Sequence, residues 1–120
     1  MITTFVYVMA VRHGQEISAP VKVGISSKPK ARLLIFQTSC PSELVLVRTF
    51  RFPDRPIAAW LEACFHDTQK KHRLRGEWFN LQPHDACDIV GVHTHWALCL
   101  FCPEFTKEER NACLKMAGVI

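Results

Sequence analysis

An α+β domain, a three-stranded antiparallel sheet flanked by helices with a C-terminal helical extension, is predicted by three features of this 120-residue chain. Two segments rich in β-branched and aromatic residues lie near the start, separated by a polar stretch containing Gly14. Apolar residues recur at helical spacing from Ile57 onward. The resulting order, strand–strand–helix–strand–helix and then a helical tail, is satisfied most simply by a small antiparallel sheet covered by helices.

Each element has a local reason. Phe5 to Val11 (FVYVMAV) predicts a buried strand, and the polar stretch from Arg12 to Pro20 a hairpin loop. Val21 to Ile25 (VKVGI) alternates and predicts a second strand, antiparallel to the first. Ser26 or Ser27 can cap a helix with Pro29 in its first turn, running to about Gln37 with Ala31, Leu34 and Ile35 on one face. Glu43 to Phe52 predicts a third strand. Asp54 caps a helix in which Ile57, Trp60, Leu61, Cys64 and Phe65 keep the i, i+3, i+4, i+7, i+8 pattern and which ends in the basic run Lys70 to Arg75. Gly76 to Leu81 then forms a turn and a short extended piece. Pro83 opens a further helix, with Ala86, Ile89, Val90, His93, Trp96, Ala97 and Leu100 on its buried side and Pro103 at its end. Thr106 and Glu109 have capping-box spacing and start a last short helix.

Composition narrows the classes. With 48% hydrophobic and 22% charged residues, a disordered tail, a coiled coil and a repeat array are all disfavoured. The N-terminal stretch has no basic leader, and no apolar run reaches membrane-spanning length, so a cytoplasmic chain with no membrane partner is expected. Its six cysteines are then thiols or metal ligands. Residues 1–82 carry twelve Lys/Arg against six Asp/Glu, whereas residues 83–120 carry three against five. A core with net charge +6 beside a tail of −2 suits a polyanionic partner or a plain solvated surface.

Several residues, in order, carry a resemblance. Phe5-Val6-Tyr7 lies on the first strand and Lys22-Val23-Gly24 on the second. Arg32 follows Gly24 by eight residues. Glu62 lies mid-helix in Ala59-Trp60-Leu61-Glu62, one turn before His66, and Arg75-Gly76-Glu77-Trp78-Phe79 closes the set. In these pieces the first 82 residues, about two-thirds of the chain, resemble the GIY-YIG nuclease family, and more narrowly its phage and bacterial branch with a GEWF-type ending. Phe5 and Val6 replace the Gly and Ile of the first motif, and Lys22 the tyrosine of the second. Phe36 stands where several members place His or Tyr, which removes one candidate proton carrier.

The resemblance implies a GIY-YIG-like core over residues 1–82, a helical extension over 83–120 packed on it, and hydrolysis of DNA phosphodiesters with Mg²⁺ or Mn²⁺; RNA is an alternative substrate. Hydrolysis needs an activated water and neutralised phosphate charge. Glu62 would bind the metal, Arg32 and Lys22 would stabilise phosphate charge, and Tyr7 would orient or activate the water. His66 and Asn80 would stand beside the site. A phenol with an ordinary pKa near 10 serves as a base only beside a cation. Apart from the resemblance, the basic run with Lys70, Lys71, Arg73 and Arg75, together with Lys28 and Lys30, offers a surface that could track nucleic-acid phosphates; a solvated helix end, whose negative pole cations also suit, is the equal alternative for the run.

Plainer readings stand beside these. Tyr7 can be a packed strand aromatic, Lys22 the solvent side of an alternating strand, Arg32 an exposed helix residue, and Glu62 a solvated carboxylate. Glu77-Trp78-Phe79 has a structural reading, with the two aromatics closing the core. In the tail, His95, Cys99 and Cys102 share a helical face and could present ligands to Zn²⁺ with Cys113, but only one CxxC pair is present and packing on the core is the simpler reading. The apolar surplus at Trp96, Leu98, Leu100 and Phe101 suggests self-association as a homodimer through the C-terminal helices. Two functional alternatives follow: a non-catalytic nucleic-acid-binding module on the same scaffold, and a structural or interaction protein using the tail.

Overall fold

In a computed structural model, residues 2–119 of the chain are described. The elements are β1 (Thr4–His13), β2 (Glu16–Ser26), α1 (Pro29–Gln37), β3 (Leu44–Phe52), α2 (Arg55–Thr68), a 3₁₀ turn (Lys70–His72), β4 (Arg73–Arg75), β5 (Trp78–Phe79), α3 (Pro83–Phe101) and α4 (Lys107–Ala117). The α+β class holds, but the sheet has five antiparallel strands in the order β3-β1-β2-β5-β4, not three. The added pair comes from the basic run and the piece after it. Arg73–Arg75 was expected at a helix end; instead Gly76, at φ +56°, turns the chain so that β4 and β5 pair and extend the sheet. β5 then pairs with β2 through Val21–Phe79 and Lys22–Trp78.

The first hairpin is also longer than expected. β1 and β2 stay paired as far as His13–Glu16, so the polar stretch is an exposed arm with its turn at Gly14-Gln15, and Gly14 takes φ +66° there. Both faces of this arm contact solvent, which explains its polar composition.

Strand alternation separates the sheet's two faces. Val6, Val8, Ala10, Val21, Val23, Phe50 and Phe79 point to one side, where α2 adds Ala58, Leu61 and Phe65 and α3 adds Ala86, Val90 and Ala97. This is the core. Phe65 and Phe79 meet edge to face at 5.0 Å, and burial of each such ring contributes about 1.5–3 kcal/mol. α2 starts as expected, with Asp54 Oδ1 accepting from the Ile57 amide at 3.1 Å. α4 has the expected capping box between Thr106 and Glu109.

Two helix faces differ from expectation. α1 turns Pro29, Leu33, Phe36 and Gln37 inward, one continuous helical stripe, and leaves Leu34 69% and Ile35 57% exposed. Its cap is Lys28 with no side-chain bond, although Ser26 Oγ accepts from the Lys28 amide at 2.9 Å. α3 buries Ala86, Cys87, Val90, His93, Thr94 and Ala97, while Trp96 and Leu100 lie on its outer side with Val92 and Phe101. No helix among the described residues is long and apolar enough to cross a membrane.

Candidate active site

The second face of the sheet carries Tyr7 on β1 and, two residues apart on β2, Lys22 and Gly24. Tyr7 pairs directly with Gly24, and Lys22 with Trp78 of β5. Because β5 is only two residues long, β2 has an incomplete outer edge beyond Lys22. The turn and α2 fill that edge. The Val23 amide donates to the Glu77 carbonyl at 3.1 Å, and the Val23 carbonyl meets His66 Nε2 at 3.0 Å. His66 therefore fixes α2 against β2 and places Glu62, one turn earlier, beside the backbone of Ile25.

Glu77 is at the centre. The Tyr7 hydroxyl donates to its Oε1 at 2.9 Å, and Lys22 Nζ lies 3.7 Å from the same oxygen. Gly24 makes this meeting sterically possible. A Cβ at that position would lie 2.5 Å from Glu77 Oε1 and 2.7 Å from Tyr7 Cζ, well inside van der Waals contact. Tyr7 is 0% exposed, whereas the Glu77 side chain is 33% exposed.

The cations rest on aromatic rings. Lys22 Nζ is 4.2 Å from the Phe36 centroid and 5.4 Å from that of Trp78; Arg32 Cζ is 4.8 Å from Phe36. Phe36 was a departure from the family pattern that removed a proton carrier. Here it is the floor under both cations, and it also packs on Tyr7 at 6.5 Å. Lys22 is only 12% exposed, while Arg32 stands in solvent.

The charges interact. Burial, then the charge and hydrogen bond of Glu77, raise the Tyr7 phenol well above its ordinary pKa; Arg32 pulls it down and Glu62 adds to the rise. Burial and then Glu77 raise Glu62, against His66, Arg55 and the Ile25 backbone. Among the described residues Glu62 has no ion pair within 4 Å. Glu62, half-buried and with no cation partner, is the carboxylate here that could hold a divalent cation. Among the described residues no three His, Cys, Asp or Glu converge as a ligand cluster.

The structure thus brings together Tyr7, Lys22, Arg32, Glu62 and His66. It does not bring Asn80, whose backbone amide donates to the His72 carbonyl at 2.7 Å while its side chain is exposed and tied to none of these residues. Lys28, Lys30, Lys70, Lys71, Arg73 and Arg75 are all exposed. Lys28 and Lys30 lie at the start of the helix that carries Arg32, and Arg75 pairs with Trp78, itself the partner of Lys22. Arg73 Nε donates to the Gly76 carbonyl at 2.8 Å, which braces the turn before Glu77.

Sequence order gives Glu77 a structural reading with its aromatic neighbours. Its signal was compositional: it is the only acid between Asp67 and Asp85, in a stretch that holds Lys70, Lys71, Arg73 and Arg75. The suggested zinc set is not assembled. Cys102 and Cys113 line an apolar cavity of about 490 Å³ with Phe101, Phe105 and Ala117, whereas His95 and Cys99 lie exposed on α3. The helix ends at Phe101, so Cys102 leaves the face that His95 and Cys99 present to solvent.

No curated protein and no solved structure matches the chain. One family profile does, that of the T5orf172 domain, over residues 4–94. The match runs from the first residue of β1 through most of α3, and so takes in every side chain of the cluster around Gly24. The chain belongs to the T5orf172 domain family.

Proposed function

We propose that this protein is a metal-dependent endonuclease of the GIY-YIG type that hydrolyses DNA phosphodiester bonds. The observation that carries the proposal is the meeting of a phenol, an ammonium, a guanidinium and two carboxylates at the incomplete edge of β2, around a glycine that leaves them room. Family membership supports it, since the T5orf172 domain occurs in nuclease-like phage and bacterial proteins and is related to GIY-YIG-type folds.

In this reading Arg32, exposed and stacked on Phe36, grips the non-bridging oxygens with its planar fork. Lys22 adds positive charge from a nearly dry position, where its field is screened less than in water. Glu62 would hold Mg²⁺ or Mn²⁺. When bound, the cation supplies charge neutralisation at the phosphate. Tyr7 orients or activates the attacking water, with Lys22 and Arg32 as the cations nearby. Exposed Lys28, Lys30, Lys71 and Arg75 extend the positive surface along the nucleic acid.

The test is nicking of supercoiled plasmid by the purified protein in Mg²⁺. Cleavage is expected to stop with EDTA and to fall by about a hundredfold or more in Glu62→Ala. Equal trace activity in both proteins would refute it. A second reading, a binding module without cleavage, is favoured by the engagement of the phenol with Glu77. Salt-dependent DNA binding with no cleavage in any divalent cation would select that one.

A further inference from the structure

We propose that Trp96 and the cleft beside it, between the end of α2 and α3, hold an unpaired base of a single-stranded nucleic acid whose phosphates meet Lys70 and Lys71. The proposal rests on the nucleic-acid partner of the reading above and gives that substrate a single-stranded part.

The cleft has a volume of about 280 Å³ and shares no residue with the cluster around Gly24. Thr68 and Gln69 form one wall, and Asp88, Val92, His93 and Trp96 of α3 form the other. This volume is at the small end for ligand sites and suits a group the size of one heterocycle.

Trp96 is 48% exposed, so half of a large aromatic surface is open to solvent. Behind it lies the ring of His93, only 2% exposed, at 4.8 Å and tilted by 45°. His93 is held in turn by Phe65, edge to face at 6.3 Å, and has Nε2 3.4 Å from Thr68 Oγ1. The indole therefore stands on a fixed support, and binding orders little that is not already ordered. Stacking of a base needs such a placed, half-open ring, and it tolerates any base because each has a π face.

Polar groups border the ring. Gln69 Nε2 donates to Thr68 Oγ1 at 3.3 Å, which leaves the amide oxygen of Gln69 to accept from a ligand. On the other wall the Asp88 carboxylate is 66% exposed and pairs with His84 at 3.2 Å. Both oxygens suit the amino groups on the edge of an unpaired base.

Charge decides the kind of partner. Gln69 leads directly into the 3₁₀ turn, where Lys70 and Lys71 are exposed. An aromatic platform bordered by cations matches a strand that presents a base and its phosphates together. A second copy of the chain pairing on the same surface would bring two more lysines into the interface, at a like-charge cost. Glu62 precedes Thr68 by six residues on α2, about 9 Å of helix rise, so a strand lying along α2 spans both places.

The test measures binding in EDTA, by anisotropy, of a labelled thymidine octamer, an octamer of abasic spacers and a short duplex. Trp96→Ala is expected to weaken binding of the thymidine octamer by about 5- to 100-fold and duplex binding by no more than about twofold. Trp96→Phe keeps a ring and is expected to stay within about threefold of the wild type on the octamer. The abasic octamer should bind wild type and Trp96→Ala alike. The octamer should also quench tryptophan fluorescence in the wild type but not in Trp96→Phe, which retains Trp60 and Trp78. Lys70→Ala with Lys71→Ala should lower the slope of log Kd against log salt by about 1.4 on the single strand. Thymidine-octamer affinity unchanged in Trp96→Ala, or an equal loss on duplex, would overturn the proposal. So would a Trp96→Ala protein that binds the octamer normally but loses a concentration-dependent dimer in sedimentation, which would make this a self-association surface. Because no cleavage is measured, a wild type that fails to nick plasmid in Mg²⁺ or Mn²⁺ overturns the nuclease reading alone, whereas a wild type that binds no octamer at low salt overturns this site.

Discussion

Tyr7 and Glu77, seventy residues apart in the chain, share a 2.9 Å hydrogen bond directly over Gly24. Two strands and a turn must be in register for this bond to form, so it reports on the whole edge of the sheet. Gly24→Ala puts a methyl group where both side chains lie. The expected cost is about 1–3 kcal/mol of stability, read as a lower urea midpoint, together with loss of cleavage. An alanine protein of wild-type stability and activity would contradict this packing.

Tyr7 is the only tyrosine in the chain, so tyrosinate absorbance reads this one group. Burial and Glu77 hold its folded pKa above the ordinary 10.0. The folded state therefore keeps a proton that the unfolded state loses, and the associated stability is full below pH 10.0 and falls as pH climbs past it. In Glu77→Gln the charge and its hydrogen-bond bias are gone while burial remains. Its phenol should ionise at lower pH than in the wild type but still above 10.0. Coincident titration curves would show that Glu77 does not act on the phenol.

Phe36 supports two cations, at 4.2 Å from Lys22 and 4.8 Å from Arg32. Each such contact contributes about 0.5–1 kcal/mol at an exposed site. Phe36→Leu keeps an apolar side chain and removes the ring, and is expected to weaken DNA binding by about fivefold with little change in Tm. Unchanged affinity would reduce Phe36 to a packing residue.

Lys71 and Arg75 lie in the 3₁₀ turn and β4, both exposed. If they meet phosphates, the double alanine variant should lower the slope of log Kd against log salt by about 1.8, or roughly 0.9 per lost contact on duplex DNA. An unchanged slope would remove β4 from the nucleic-acid surface.

His93 provides a test away from the site. It is buried on α3 with Nδ1 unpartnered among the described residues and Nε2 3.4 Å from Thr68 Oγ1, and burial lowers its pKa below 6.5. Between that lowered value and 6.5 the unfolded chain binds more protons, so stability falls as pH drops through this window. His93→Phe, which keeps an aromatic ring between Phe65 and Trp96, should flatten that acid slope in urea unfolding. A slope unchanged by the substitution would place the acid sensitivity elsewhere.

The elements that could be read from the chain are those whose cause is local. α2 follows from its spacing and from Asp54, α4 from its capping box, and β1 and β3 from runs of branched and aromatic residues. Tyr7, Lys22, Arg32 and Glu62 could be singled out because an ordered set of short motifs names them. Three- and two-residue strands leave almost no periodic trace, so β4 went unread and β5 showed only as a short extended piece, with nothing to assign either to the sheet. Leu34 and Ile35 misled for a related reason: helical spacing says which residues share a face, but not which face the sheet covers.

The placement of Glu77 depended wholly on the folded arrangement. Sequence order put it beside Trp78 and Phe79, suggesting a core-closing turn. Pairing of β5 with β2 turns Phe79 into the core and sets Trp78 beside Lys22, and it brings the Glu77 carboxylate onto Tyr7 and Lys22. Residue types and their order along the chain fixed which chemistry was available. Which carboxylate sits on the phenol and which is free for a cation depends on long-range pairing and on the space above one glycine, and neither leaves a local mark in the sequence.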